Sequence, residues 1–415
     1  MIRQIFDRNG IKTEVDVPVE SHWRGEDDDS RERGRSLVAG QVLGDRLTAL
    51  RARFDQAGVT ALLVTHPANL FYLSNFRGSA GMLLVTRDEM SLVVDSRYTT
   101  AVETLLGSDA GCKGMALEQV ASSYEETLRD LLDRCESSSV GIEASHMTVW
   151  RYEWLERALA TSGVVLRPTT GFVEASRVVK DVFELATLGE AGVRISRVME
   201  RMLRSLEAGR TEREVAAGID HAIQTAGFER PAFETIVASG PHTALPHAHP
   251  GDRVLAVGDL ILLDFGGIYS GYCVDLTRMA CLGAPGAAAV EWHEAVSEAH
   301  TAALATVRPG VRGSNVDAAA RAVLDRRGFG GAFGHGTGHG IGLEVHEAPR
   351  INKRRKSIGA GQDPEDVLLE SGMVFTVEPG VYLPGSGGVR LEDDLVVTPT
   401  GYELLTVVSR DLLVV

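Results

Sequence analysis

From Gly44 onward the chain carries two periodicities. Leu47, Leu50 and Phe54 recur at helical spacing, and Gly58 supplies a stop. Residues 61–64 (Ala-Leu-Leu-Val) read as a buried strand, residues 82–85 and 92–94 as two more, with helical stretches near 121–134 and 148–160. This pattern predicts an α/β domain over residues 45–172. A long amphipathic helix is expected from Phe183 to Leu206, ended by Gly209. Thr211 and Glu214 then form a capping-box signature for a helix with Val215, Ile219, Ala222 and Ile223 on its apolar face and Gly227 at its end. Beyond it the chain is strand-rich with glycine-rich turns, so residues 173–415 are expected to form a second domain. Residues 1–44 read as an irregular extension, an arm suited to packing on a partner subunit. Its mixed-charge run from Glu26 to Arg33 is the kind usually solvated.

Composition narrows the class. The 415 residues include 57 acidic and 42 basic side chains, a net charge of −15, with 44% apolar and 24% charged residues. Such a chain can bury two cores and is not largely disordered. Its acidity argues against a general nucleic-acid binder and against docking to an anionic membrane. No run approaches the ~18 apolar residues of a membrane helix, and no secretory signal is evident at the N-terminus. Four cysteines without a C-x-x-C pair suit a reducing compartment, so a cytoplasmic location is expected. The 45 glycines exceed a usual share of ~7%.

Three segments carry candidate chemistry. Residues 260–279 form two strand-like runs around a turn placed at Ile268–Gly271. Asp264 and Asp275 are equidistant from it, so an unbulged hairpin sets them face to face, Cβ atoms roughly 5 Å apart. Two carboxylates in apolar strands repel and are costly to bury, and a shared cation relieves both. The bland alternative is exposure at a strand end. A second pair behaves alike: Glu378 ends the apolar run 373–377, Glu392 precedes 395–397, and Pro384–Gly388 supplies the turn between. The third segment, Gly334–Gly342, holds His335 and His339 and is followed by His346-Glu347. Its interleaved glycines exclude a stable helix and let backbone come close to something. A phosphate-cradling loop is the competing reading, but neither G-x-x-x-x-G-K-[ST] nor H-E-x-x-H is present. Four carboxylates with imidazole make a hard site, better suited to Mn²⁺ than to thiolate-bound zinc. Their charge balances two divalent ions, and two such ions roughly 3.5 Å apart are a hydrolase arrangement.

In order and context these motifs resemble the pita-bread metallopeptidase family, which includes Xaa-Pro aminopeptidases, Xaa-Pro dipeptidases (prolidases) and methionine aminopeptidases. The resemblance implies an α+β fold: a C-terminal pita-bread (creatinase/aminopeptidase) domain behind an N-terminal α/β domain of creatinase/prolidase type. It implies a dinuclear site with Asp264, Asp275, His339, Glu378 and Glu392 as ligands, Asp275 and Glu392 touching both ions. Two divalent ions are expected, Mn²⁺ first, with Co²⁺ or Zn²⁺ as substitutes. The segment Ile236–His247 resembles the one that supplies a substrate-contacting histidine in the Xaa-Pro branch, which maps to His247; His242 stands where Asn is more usual. His335 and His346 match two further active-site histidines, and Arg390 the family arginine beside the last ligand. Glu378 is then the proton acceptor, His346 and His247 the carbonyl contacts, and His247, His346 and Arg390 the surroundings of the proline. His335 either protonates the leaving nitrogen or props His339. Asn69–Phe76, Gly78-Ser79 and Val94–Tyr98 match the N-terminal domain, which methionine aminopeptidases lack. The implied activity is hydrolysis of the Xaa-Pro bond at a peptide N-terminus by metal-activated water, the aminopeptidase first and the dipeptidase as its alternative. A same-fold hydrolase of another amide and a non-catalytic binding protein are remoter. The expected partners are a peptide with proline second and a second copy of the chain, in a homodimer or homotetramer, with no nucleic acid or membrane. The basic stretch Lys353–Lys356 reads as a surface loop.

Overall fold

The computed structural model describes residues 2–6, 12–16, 37–135, 137–354 and 366–415. The chain divides into two units, residues 1–34 and 35–415. In the first, β1 (Ile2–Phe6) pairs antiparallel with β2 (Lys12–Asp16), Ile2 opposite Asp16. The expected irregularity fails there, because Ile2, Ile5 and Phe6 do not alternate and leave little period-two signal. The charged run 26–33 and residues 355–356 of the basic stretch lie outside the described residues; Lys353 and Arg354 are exposed.

The second unit opens with the helix Gly40–Arg51, four residues ahead of the expected start. A six-stranded mixed sheet follows: β3 (Ala61–Val64), β4 (Met82–Thr86), β5 (Met90–Val94), β6 (Met115–Gln119), β7 (Ser139–Glu143) and β8 (Val165–Thr169), in the order β6-β5-β4-β3-β7-β8. Strand alternation splits its apolar side chains between two cores. Leu62, Val64, Leu83, Val85, Leu92 and Val94 face Leu43, Leu47 and Leu50 of the first helix together with Leu70, Tyr72 and Leu73 of the helix Pro67–Ser74. Ala61, Leu63, Met82, Leu84 and Val93 face Leu128, Leu131 and Leu132 of the helix Tyr124–Arg134 and Leu155 of the helix Val149–Ala158.

The long helix expected from Phe183 runs from Val182 to Arg204. Asp181 accepts from the Glu184 amide, and Glu184 accepts in return from the Asp181 amide. The Thr211–Glu214 box forms as read, opening the helix Glu212–Thr225. Strands β9 (Arg230–Pro231), β10 (Ile236–Ser239), β11 (Leu260–Tyr269), β12 (Tyr272–Cys281) and β20 (Leu413–Val414) make one sheet, in the order β10-β11-β12-β20 with β9 also on β11. Strands β13 (Gly338–Gly340), β14 (Glu347–Ile351), β15 (Val374–Val377), β18 (Asp393–Val397) and β19 (Tyr402–Leu404) make another, ordered β14-β13-β15-β18-β19; β16 (Gly380–Leu383) and β17 (Gly387–Arg390) pair as a separate hairpin. Ile261, Leu263 and Phe265 of β11 pack with the helices 182–204 and 212–225. Leu260 and Leu262, on the other face, join a core with the helices Ala287–Thr306 and Gly313–Arg326 and with β15, β17 and β18. Asp264 continues that second face by the period of two, so one end of this core is carboxylate instead of apolar.

Arg278 locks these two sheets together. Its buried guanidinium donates to Thr277 O, Glu392 O, Ser409 O, Val408 O and Asp393 Oδ1, the last at 2.5 Å. His300 Nε2 stands 3.3 Å from the other Asp393 oxygen. Arg278→Met leaves a buried carboxylate without its cation and is expected to cost ~3–5 kcal/mol. The double variant R278M/D393N should recover part of that loss, both read as urea unfolding midpoints.

Candidate metal centre

The turn between β11 and β12 corrects the expected geometry of the aspartate pair. Tyr269 pairs with Tyr272, so the loop is Ser270-Gly271, and both residues adopt left-handed backbone (φ 48° and 86°). That is the two-residue hairpin turn whose twist suits the flanking strands. It shifts the register by two residues from the equidistant placement. Asp264 lies opposite Thr277, and Asp275 opposite Gly266. The two carboxylates are diagonal neighbours on one face, still within mutual reach, and Thr277, directly opposite Asp264, shares that face.

The glutamates are placed by a hairpin with one register throughout. Val377 pairs with Asp393 on β15/β18, and Gly380 with Arg390 on β16/β17. The same register carried across the break sets Glu378 opposite Glu392. His339 enters from β13, which runs beside β15, and here the glycines have their use. A Cβ on Gly338 would lie 1.8 Å from Thr376 O, so only glycine lets β13 approach this closely.

Among the described residues, Asp275, His339 and Glu392 bring ligating atoms within 4.8 Å of one another. Glu378 joins them, its Oε1 3.6 Å from His339 Nε2 and its Oε2 3.7 Å from His335 Nδ1. Asp264 reaches the same cavity and is gripped by Arg390 Nη2. Asp264 Oδ1 and Asp275 Oδ1 are buried and have no hydrogen-bond partner within the protein. His339 Nδ1 is 3.1 Å from Gly340 O, which places its N–H there and leaves the Nε2 lone pair facing the acids. Burial holds this imidazole neutral, its pKa down to about 3. Burial, then the crowding of Glu392 and Asp264, drives Asp275 well above the carboxylate range. Burial and Glu392 do the same to Glu378, and burial with Asp264 raises Glu392 to about 8. Orphaned carboxylate oxygens, a free imidazole lone pair and mutually repelling acids fit hard divalent cations.

Further donors fix these ligands. Thr277 Oγ1 donates to Glu392 Oε2 (2.7 Å), and the Asp275 amide to Asp394 Oδ2 (2.9 Å). Arg390 Nη1 donates to the hydroxyl of Tyr382 (2.9 Å). His335 gives its Nδ1–H to Gly336 O (2.8 Å), so Tyr382 donates to His335 Nε2 (2.9 Å). Thr277, Tyr382 and Asp394 were not singled out by sequence, although Thr277 sits two residues from Asp275 on the same strand face. His247 and His346 line the same cavity of about 860 Å³, as does Arg350 on β14, another residue without a sequence signal. The His346 ring lies 4.3 Å from that of His339, and burial with Arg350 holds its pKa below the ordinary value. His242 lies outside the cavity, its Nδ1 3.0 Å from the buried Glu212.

Without cations, the raised carboxyl pKa values tie stability to protons. The folded state holds protons on these acids that the unfolded chain releases above pH ~4. Stability of chelated protein is therefore expected to fall as pH rises from 5 to 8, and Asp275→Asn to raise the chelated melting temperature at pH 8. Added divalent ion should stabilise the wild type more than this variant, all read by calorimetry.

Comparison with known proteins identifies the family. Residues 46–179 match the creatinase/prolidase N-terminal domain, and residues 186–399 match metallopeptidase family M24. An Xaa-Pro dipeptidase from Bacillus anthracis superposes with a TM-score of 0.83 at 34% identity, over 90% of this chain and 100% of that one. An X-Pro aminopeptidase from Thermotoga maritima gives 0.78 at 33%, over 88% and 100%. The Xaa-Pro dipeptidase of Pyrococcus furiosus is 31% identical over 89% of this chain and 99% of its own length. With both halves matched and relatives covered end to end, the chain belongs to metallopeptidase family M24 and carries its creatinase/prolidase N-terminal domain.

Proposed function

We propose that this enzyme is an Xaa-Pro dipeptidase, holding two divalent ions, Mn²⁺ by expectation, on Asp264, Asp275, His339, Glu378 and Glu392. The observation that carries the reading is Arg350 on the wall of the carboxylate-floored cavity. Its side chain is exposed, and it carries no ion pair among the described residues. A free dipeptide presents its terminal carboxylate just beyond the proline, and a guanidinium there binds it through charge-assisted hydrogen bonds. Names of relatives weigh the same way, since two of the three compared above are Xaa-Pro dipeptidases. This reverses the preference for the aminopeptidase taken from sequence alone.

When bound, the ions lower the pKa of water toward neutrality and polarise the scissile carbonyl. The remaining tasks fall to side chains. Glu378, partly open to the cavity, accepts the proton of the attacking water and returns it to the proline nitrogen, which has no hydrogen of its own. As the water oxygen bonds to the carbonyl carbon and the C–N bond breaks, His346 and His247 donate to the carbonyl oxygen as it gains charge. Arg390 holds Asp264 and borders the proline. Because Tyr382 occupies His335 Nε2 and Gly336 its Nδ1–H, His335 orients the network instead of donating to the leaving nitrogen.

The aminopeptidase is the second reading, favoured by a cavity roomier than a dipeptide requires and by the Thermotoga relative. Ala-Pro and Ala-Pro-Ala at equal concentration separate the two. A dipeptidase should show at least about tenfold higher kcat/KM on Ala-Pro, and the reverse order would establish the aminopeptidase. Arg350→Met should raise KM for Ala-Pro about 10- to 100-fold, matching the loss of a charge-assisted hydrogen bond, with little change for the tripeptide. Chelation should abolish hydrolysis and Mn²⁺ restore it; full activity in metal-stripped protein would sink the metallopeptidase reading.

A further inference from the structure

Among the described residues, the N-terminal domain contributes nothing to the lining of the cavity. It nevertheless reaches the segment that carries His346. Gly342 is tied on one side, its carbonyl accepting from the Cys273 amide (2.6 Å). On the other side Glu344 and Glu347 flank His346, and both carboxylates point away from the cavity into a cluster of cations. Arg177 Nη2 donates to Glu344 Oε2 (2.8 Å) and to Glu347 Oε2 (2.5 Å), and Lys180 Nζ to Glu347 Oε1 (2.7 Å). Both cations are almost wholly buried, and so is the Glu347 side chain. From the N-terminal domain, His66 Nε2 stands 3.3 Å from Glu344 Oε1, and Asn69 Oδ1 accepts from Arg177 Nη1 (2.7 Å). His66 is itself fixed, its amide donating to Glu143 Oε2 (2.7 Å) and its ring packed at a tilt against that of His146.

We propose that the N-terminal domain is a positioning element for the reaction: His66 and Asn69, through Arg177, hold Glu344 and Glu347 and so set His346 over the metal centre. The physical reason is the cost of letting go. Moving Glu347 would strand the buried Lys180 without a counter-charge and leave the buried Arg177 with only the half-exposed Glu344, whose own release would leave Arg177 one of its two carboxylates, so the short segment between them has one favoured position. Glu344 reports the grip directly. Burial alone would raise its pKa, but the His66 bond and Arg177 bring it down to about 2. The role of His346 rests on the Xaa-Pro reading above; the clamp itself rests on geometry.

The test uses the full, Mn²⁺-loaded protein and Ala-Pro. His66→Gln and Glu344→Gln sit at a partly exposed joint and keep the side-chain size. Each should lower kcat about 5- to 20-fold with KM within twofold, as expected for a contact made chiefly in the transition state. In a His346→Ala background the same changes should cost nothing further, because their route to the substrate is gone. A second readout needs no turnover: in Zn²⁺-loaded protein, diamagnetic where Mn²⁺ would broaden nearby lines, the His346 ring resonance, assigned by its loss in H346A, should shift in H66Q. Either variant keeping kcat within twofold of wild type, losses that simply multiply with that of H346A, or an unmoved resonance would overturn the proposal. Wild-type protein that fails to cleave Ala-Pro or Ala-Pro-Ala overturns the Xaa-Pro reading first, and the ring resonance then decides the clamp alone.

Discussion

Mutual repulsion of buried carboxylates is the constraint around which this catalytic domain is arranged. Asp264, Asp275, Glu378 and Glu392 converge with His339 on one spot, two of their oxygens bonded to nothing in the protein. A fold could relieve that repulsion by exposing the acids or spacing them apart. Here Asp264 and Glu392 are instead held by donors that also fix their direction, Arg390 and Thr277, and the Asp275 backbone is pinned by donating to Asp394. The protein thus spends hydrogen bonds on keeping like charges together, which makes sense where external positive charge completes the balance.

The surroundings follow from that requirement. Strands hold three of the five candidate ligands, Asp264, Asp275 and His339, and Glu378 and Glu392 adjoin strand ends, because a pleated hairpin delivers side chains to one face at fixed spacing. Arg278 ties the strand after Asp275 to the backbone of Glu392, so the aspartate and glutamate hairpins cannot drift apart independently. A second layer of charge, Arg177 and Lys180 against Glu344 and Glu347, lies outside the cavity lining and flanks the segment that carries His346. One cluster is deficient in positive charge and the other is internally matched, which suits a ligand site and a joint respectively.

Sequence exposed the candidate ligands better than their arrangement. Asp264 and Glu378 were visible because a carboxylate inside an apolar run is anomalous, and the helix opening at Thr211 because capping is written in local residues. The diagonal register of Asp264 and Asp275 was hidden, since it depends on Ser270 and Gly271 both taking left-handed backbone. Helix Pro67–Ser74 was hidden for the opposite reason. Six of its eight residues are buried, so no amphipathic stripe marks it. Strands β6 and β8 sit at the sheet edges with short, largely uncovered faces, where alternation is weak. Tyr382 and Arg350 were illegible because their importance arises only from what tertiary packing sets beside them.

The two hairpins also imply an order of assembly. Asp264 and Asp275 are near each other along the chain, and so are Glu378 and Glu392, so each pair can form by local strand closure. Joining the pairs, with His339 from between, is a contact of high sequence separation that comes late in a search dominated by loop closure. A half-site of two carboxylates on a lone hairpin is a poor trap for any ion. With the ions bound as proposed, tight capture would begin only once both halves have docked, so ion occupancy would report native topology.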